Sequence, residues 1–463
     1  MPTLRPMLES VADGQQRNAR RRLLLVSYHF PPDPAVGGVR WERLARYFVG
    51  RGWAIDVIAR DFTKLTGRDE ARASNLPSGV TVYSASEDEP WLARAEHVGL
   101  RVVRHFRSKR GRSSNAVIVR PAVVEPPPRR LLVEAHAALV RIATQRSWAK
   151  AAARLGGSLA KQAEYDIVVS SGPPHMAHEA ARSIAKTASL PFVIDFRDPW
   201  SAFEQTPGDN TSALWFAAAR HYERRAVAAA SLVVMNTDLS RDDMRARYPA
   251  FANRIITVPN GSDDDPLPVV ARGHRFTIRF AGTIYLDRDP RPVFRAAANV
   301  VRNLHLTPKD FGLEFIGEAD EFRGQSVRAI AAQEGVGEFV TISGPQPRDA
   351  AMRFLAGANM LLSLPQDANM CVPAKIFEYV RFDAWLLVLA TERSATAAAL
   401  RGTTADVVDP ADVDRMTKVI EQRYRQHADG ARPAAVGQDG RFDRARQAEI
   451  LLERFETIAA AER

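Results

Sequence analysis

Short runs of Val, Ile, Leu and Phe recur along the chain, each followed by a polar or glycine-containing turn and then by a segment with helical spacing. That alternation is the pattern of a parallel sheet whose strands are buried on both faces and joined by crossing helices. The runs LLLVSY (23–28), AIDVIA (54–59), DIVVSS (166–171), FVIDF (192–196), SLVVMN (231–236) and RIITV (254–258) predict the strands of one doubly wound unit, with a helix from about Val39 to Arg51. The turn residues of VPNGSDDDP (258–266) break this rhythm. A second series, FTIRFAGT (276–283), LEFIG (313–317), FVTIS (339–343), NMLLSL (359–364), WLLVLA (385–390) and ADVVD (405–409), predicts a second doubly wound unit. In the tail 441–463, Ile450, Leu451, Phe455 and Ile458 fall close to one helical stripe.

The expected organisation is therefore a disordered, arginine-rich leader over 1–20, a first domain over 21–262, a second over 263–440, and a helix over 441–463 crossing back to the first. A chain of 463 residues is too long for one ordinary core, which agrees with two domains. Ligands of open α/β sheets bind beyond the carboxyl ends of the strands, so the two units are expected to face one another across a cleft.

Composition adds two facts. Hydrophobic residues make up 46% of the chain and charged residues 25%, the balance of a globular protein, and no run approaches the length of a membrane span. The single cysteine, Cys371, excludes an internal disulfide framework and a cysteine-based zinc site, and fits the cytoplasm; it reads as a small apolar filler. The net charge of +10 is localised, since residues 101–150 hold 12 Lys and Arg against 2 Asp and Glu. Within that stretch RVVRHFRSKRGR (101–112) is densely basic and PPPRR (126–130) reads as a stiff turn. The basic insertion 101–130 is either a solvated loop or a patch for anionic lipid head groups, a diphosphate-bearing acceptor or nucleic acid.

The candidate chemistry lies at predicted strand ends. In PAKIFEY (373–379), Pro373 suits a helix start, and Lys375 and Glu378 are neighbours one turn apart near the end whose free N–H groups attract anions. They form either a surface ion pair or a clamp offering a cation to a diphosphate and a carboxylate to ribose hydroxyls. Gly37 and Gly38 precede a helix opening with Val39 and Arg40, which is a plain turn or a close approach to an anion; the spacing is not GxGxxG. SSGPPHMAH (170–178) places His175, and DFRDPW (195–200) places Asp195, Arg197 and Asp198, at one sheet edge. These would serve an acceptor hydroxyl, or Asp and Arg would brace the loop with His175 beginning a helix. In FAGTIYLDRDPRP (280–292), Arg288 and Arg291 follow the first strand of the second unit, as phosphate ligands or solvated helix-start residues. No metal site is expected, and Asp263, Asp264 and Asp265 read as solvated linker.

Taken in order, SYHFPPDPAVGGVR (27–40), SSGPPH, DFRDPW, PNGSD (259–263), AGTIY (281–285) and PAKIFEY resemble the family 4 glycosyltransferases of the GT-B fold, in a bacterial branch that builds surface polysaccharides. The resemblance spans about residues 22 to 460 and implies two Rossmann-like domains facing across a cleft. It also implies retaining transfer from a nucleoside diphosphate sugar, as substrate and without a cofactor, to a lipid-linked or polysaccharide acceptor. Lys375 and a loop arginine would hold the diphosphate and Glu378 the ribose, with Gly37, Gly38, Arg40, Gly282 and Thr283 also lining the donor site. Three positions depart from the family pattern: Met370 where many members have a second glutamate, Thr283 where many have an arginine after the glycine, and Asp195 where relatives often place a histidine. The reading is a cytoplasmic enzyme with peripheral contact to an anionic membrane and no nucleic-acid partner. The alternatives are a nucleotide-sugar epimerase on the same fold and a non-catalytic protein that binds anionic membrane or nucleic acid.

Overall fold

The computed structural model describes residues 21–86, 127–201, 212–285, 287–366 and 369–461. The leader and the basic residues 101–126 lie outside the described residues. Strands β1 (Arg22–Ser27), β2 (Ala54–Ala59), β3 (Val80–Ser84), β4 (Ile167–Gly172), β5 (Phe192–Phe196), β6 (Leu232–Met235) and β7 (Ile255–Thr257) form a sheet in the order β3-β2-β1-β4-β5-β6-β7. All its pairings are parallel. The second sheet contains β8 (Phe276–Ala281), β9 (Phe311–Ile316), β12 (Val340–Ser343), β13 (Met360–Ser363), β14 (Trp385–Leu389) and β15 (Asp406–Val408), in the order β12-β9-β8-β13-β14-β15. β10 (Glu321–Phe322) and β11 (Gln325–Ser326) make a separate two-stranded ribbon. Strand order reverses between β1 and β4 in one sheet and between β8 and β13 in the other, and these switch points are where such folds bind ligands.

The fully apolar runs became the central strands because both sheet faces are covered. Leu24, Val26 and Ile194 pack with the helix Met176–Ala188 on one face, while Leu23, Leu25 and Val193 pack with the helix Val39–Gly50 on the other. The helix Arg444–Ala461 closes that second face, with Leu451, Leu452 and Phe455 buried against Trp41 and Phe48. Burying a phenylalanine such as Phe455 contributes about 1.5–3 kcal/mol by area removed from water. The two domains are thus held together by the chain's last helix as well as by the linker.

Three expectations require correction. PPPRR is not a turn: Pro127 opens a 36-residue helix, Pro127–Gln162, consistent with proline's tolerance in a first helical turn. β3 was not legible as a strand because it is a half-exposed edge with no apolar run. Asp263 and Asp265 are not solvated linker. Asp263 accepts from Arg444 at 2.7 Å and Asp265 from Arg43 at 2.8 Å, while Ser262 N–H donates to Phe442 O at 2.7 Å. Gly261 permits this: a Cβ there would stand 2.8 Å from Arg444 Cα. The linker and the start of the last helix are one braced junction.

Candidate active site

At the edge of the second sheet, the helix Ala374–Tyr379 is pinned over the end of β8 by one side chain. The Tyr379 hydroxyl accepts from Ala281 N–H at 3.0 Å and donates to Ala281 O at 3.2 Å. This lays Lys375 across the next residue, Gly282, whose φ of 152° is one that L side chains rarely adopt. A Cβ on Gly282 would fall 1.2 Å from Lys375 Nζ, so the glycine is the space the lysine occupies. Gly317 approaches from β9 in the same way, for its Cβ would stand 2.4 Å from Gly282 O. Nζ also lies 5.1 Å from the centre of the Phe280 ring.

Lys375 forms no ion pair among the described residues. Burial lowers its pKa to about 8, Arg288 pushes in the same direction, and Glu378 opposes them. Glu378 itself pairs with Arg348 at 2.8 Å, so the one-turn surface bridge between Lys375 and Glu378 does not form. Arg288 stacks on Tyr285, with its guanidinium carbon 4.1 Å from the ring centre, and donates to the Tyr285 hydroxyl at 2.9 Å. Arg291 is differently committed. It bonds Asp289 at 3.0 Å and Gln325 at 2.5 Å, bracing the β10–β11 ribbon, so of the two loop arginines only Arg288 acts on Lys375. Thr283 donates to Glu318 at 3.5 Å.

The edge of the first sheet is built on internal ion pairs. Gly37 and Gly38 sit in the turn Val36–Gly38 that leads into the helix Val39–Gly50, and a Cβ on Gly38 would stand 3.0 Å from His29 O. Arg40, expected beside the donor phosphates, is instead buried with all three guanidinium nitrogens bonded. Nε donates to Asp195 at 3.0 Å, Nη1 to Pro259 O at 2.8 Å and Asn260 Oδ1 at 3.1 Å, and Nη2 to Val258 O at 2.9 Å. Asp195 also accepts from Trp41 Nε1 at 2.8 Å and Ser171 Oγ at 3.3 Å. This pair ties β5 to the linker.

His175 stacks on Trp200, ring centres 5.2 Å apart, and burial with help from Arg197 lowers its pKa to about 3. It is therefore neutral at physiological pH. The neighbouring His178, not singled out in the sequence, is fully buried with Nδ1 2.8 Å from Ser170 Oγ, and its pKa is also held low by burial. Asp198 behaves oppositely to an exposed carboxylate, since burial pushes its pKa up, against the pull of Arg197. Cys371 is more than filler: its Sγ donates to Asp198 at 3.6 Å across the cleft. Beside it Met370 O accepts from Thr237 Oγ1 at 2.7 Å and Ser240 Oγ at 3.0 Å. The loop leading to Lys375 thus rests on the first sheet's edge. Among the described residues no group of three or more His, Cys, Asp or Glu is placed to hold a metal ion, and no helix is long and apolar enough to cross a membrane.

Two parallel doubly wound sheets, their carboxyl edges brought together by the 369–373 loop, have the architecture of the GT-B fold. Residues 37–261 match the model of the glycosyl transferase 4-like domain. No curated protein matches the chain by sequence. Among solved structures it is similar to a glycosyltransferase from Rickettsia africae (13% identity, TM-score 0.60, covering 95% of this chain and 99% of that one). It is also similar to sucrose-phosphate synthase from Thermosynechococcus elongatus (12%, TM-score 0.57, 96% and 100%). A third is the Anabaena protein HepE in complex with UDP and glucose (14%, TM-score 0.56, 94% and 100%).

Proposed function

We propose that this glycosyltransferase moves a sugar, with retention, from a nucleoside diphosphate sugar to a hydroxyl of a lipid-linked or polysaccharide acceptor. The observation that carries the donor assignment is Lys375, a partly buried ammonium with no ion pair among the described residues, lying over Gly282 at the second sheet's switch point. A diphosphate would supply the missing counter-charge, Arg288 would add to it, and Glu378 would exchange Arg348 for ribose hydroxyls. A structural relative was solved with UDP and glucose, which supports the same donor class.

In the proposed reaction the bond from the sugar's anomeric carbon to the leaving phosphate oxygen breaks as the acceptor oxygen attacks the same face. The acceptor's proton passes to the departing diphosphate. The chain's contribution is charge stabilisation and alignment: Lys375 and Arg288 take up the negative charge that develops on the leaving group. Asp198, which meets the loop of the second domain through Cys371, would orient the acceptor from the first sheet. Neutral His175 would pack beside it without acting as a cation.

A thermal-shift series with UDP, GDP, ADP and dTDP tests the donor assignment. At least one should stabilise the chain, and none doing so would remove it. Incubation with the matching sugar nucleotide then separates transfer from epimerisation, since conversion of the donor alone, without an acceptor, would favour the epimerase. The anomeric configuration of the product, read by NMR, decides retention. The basic stretch 101–130 is proposed to dock on anionic lipid; co-sedimentation with phosphatidylglycerol vesicles should weaken with salt, and salt-independent binding or none would end that idea.

A further inference from the structure

Arg197 shares one property with Lys375: it forms no ion pair among the described residues. Its guanidinium is held by main-chain oxygens, Nε donating to Gly172 O at 3.2 Å and Nη2 to Pro173 O. Nη1 donates to nothing among the described residues. The nearby carboxylates are otherwise engaged, Asp195 by Arg40 at 3.0 Å and Trp41 at 2.8 Å, and Asp198 by Cys371 at 3.6 Å. Burial lowers the Arg197 pKa, against the pull of Asp198 and Asp195, and pushes that of Asp198 up, against the pull of Arg197. By contrast, the neighbouring Asp33 is in contact with both His29, at 2.7 Å, and Arg60, at 3.8 Å.

The Arg197 guanidinium lies against the glycine turn that precedes the helix Val39–Gly50. A Cβ on Gly37 would stand 3.1 Å from Nη1 and 3.3 Å from Nη2, so any side chain there would crowd the guanidinium. The adjoining Val36 is 86% exposed, which places this turn at an open surface. A guanidinium fixed by two carbonyls, with a free nitrogen and a glycine beside it, matches the planar fork by which arginine recognises carboxylate or phosphate. Lys375 belongs to the other sheet, and its Nζ is seated over Gly282 rather than beside Arg197.

We infer that Arg197 is a second anion site, receiving a carboxylate or phosphate carried by the acceptor or by the transferred sugar, separate from the donor diphosphate at Lys375. The identity of its ligand as a substrate group rests on the glycosyl-transfer reading above; the anion site itself is testable without any nucleotide. The full-length Lys375→Ala protein removes the donor cation, and phenyl phosphate, phenyl glucuronide and neutral phenyl glucoside are titrated into it by calorimetry. At least one anion should bind tenfold or more tightly than the glucoside. Adding Arg197→Gln should abolish that preference, whereas Arg197→Lys should retain part of it, which separates loss of charge from loss of fold. Preference for phenyl phosphate assigns a phosphorylated ligand, and preference for the glucuronide an acidic sugar. If neither anion is preferred, or the preference survives Arg197→Gln, the inference is overturned. Failure of nucleoside diphosphates to bind the wild-type chain would instead count against the donor assignment.

Discussion

At the edge of the first sheet Arg40 lies against Asp195 with every guanidinium nitrogen bonded, whereas at the edge of the second Lys375 lies over Gly282 with no ion pair among the described residues. Arg40 follows a glycine turn and Lys375 lies over a glycine, each at its sheet's switch point, and both looked like ligands for an anion. Partner arithmetic distinguishes them. A buried cation whose nitrogens are all bonded braces the fold, and its removal leaves an uncompensated charge; a partly buried cation with no ion-pair partner has binding capacity the fold does not consume. The same arithmetic sorts the arginines of the second domain, where Arg291 is consumed by Asp289 and Gln325.

The sharpest way to break this contrast is a pair of variants that should fail in opposite assays. Arg40→Met is expected to lower the unfolding free energy by about 3–5 kcal/mol, because it strands the buried Asp195 and frees the 258–260 linker. Denaturant unfolding measures it, and a loss under 1 kcal/mol (~) would deny Arg40 its bracing role. Lys375→Ala is expected to reduce transfer by about 10²–10³-fold, the usual loss for one charge-stabilising donor. Its melting temperature should be unchanged or higher, since the folded state already disfavours the charged lysine. Wild-type turnover in this variant would end the donor assignment.

How much of this was legible beforehand follows from which interactions are local. The central strands were readable because burial on both faces demands uninterrupted apolar runs, and β3 was not because its residues are half-exposed. The spacing of Lys375 and Glu378 was readable, yet the true partner of Glu378, Arg348, comes from a different helix. Arg40 could not be classified from the chain alone, for its deciding partners, Val258 and Pro259, lie 218 and 219 residues away. Cys371 had no signal at all, since only folding brings it to Asp198. The glycine at 282 was informative in kind, but that it is the seat of a lysine needed coordinates.

A smaller effect is expected from Gly282→Ala. The added methyl would overlap Lys375 Nζ and require a backbone that alanine rarely adopts, so the lysine must leave its position. Donor kcat/KM should fall by about tenfold to a hundredfold while the second sheet stays folded. Near-isothermal-denaturation profiles with intact turnover would mean that Lys375 is not used where it is seen.

The smallest effect is also the most specific, because it follows from the sign of one shift. A lysine is charged below its pKa, and that of Lys375 is lowered to about 8 in the unliganded cleft. At pH 9 only about a tenth of such groups carry charge, and a bound diphosphate, which favours the charged form, must raise the pKa to bind. Affinity for the nucleoside diphosphate should be level below about pH 7.5 and weaken by up to about tenfold per unit above 8, with proton uptake measurable by calorimetry in buffers of different ionisation enthalpy. Stability of the unliganded chain should change the other way. Its folded state binds fewer protons at this site than the unfolded state, so this group's contribution rises from pH 8 toward the ordinary lysine pKa. Arg40 is committed to Asp195 and the linker, so Arg40→Lys should leave the pH dependence of nucleotide binding as it was. A profile that moved with Arg40 rather than with Lys375 would reverse the assignment of the two edges.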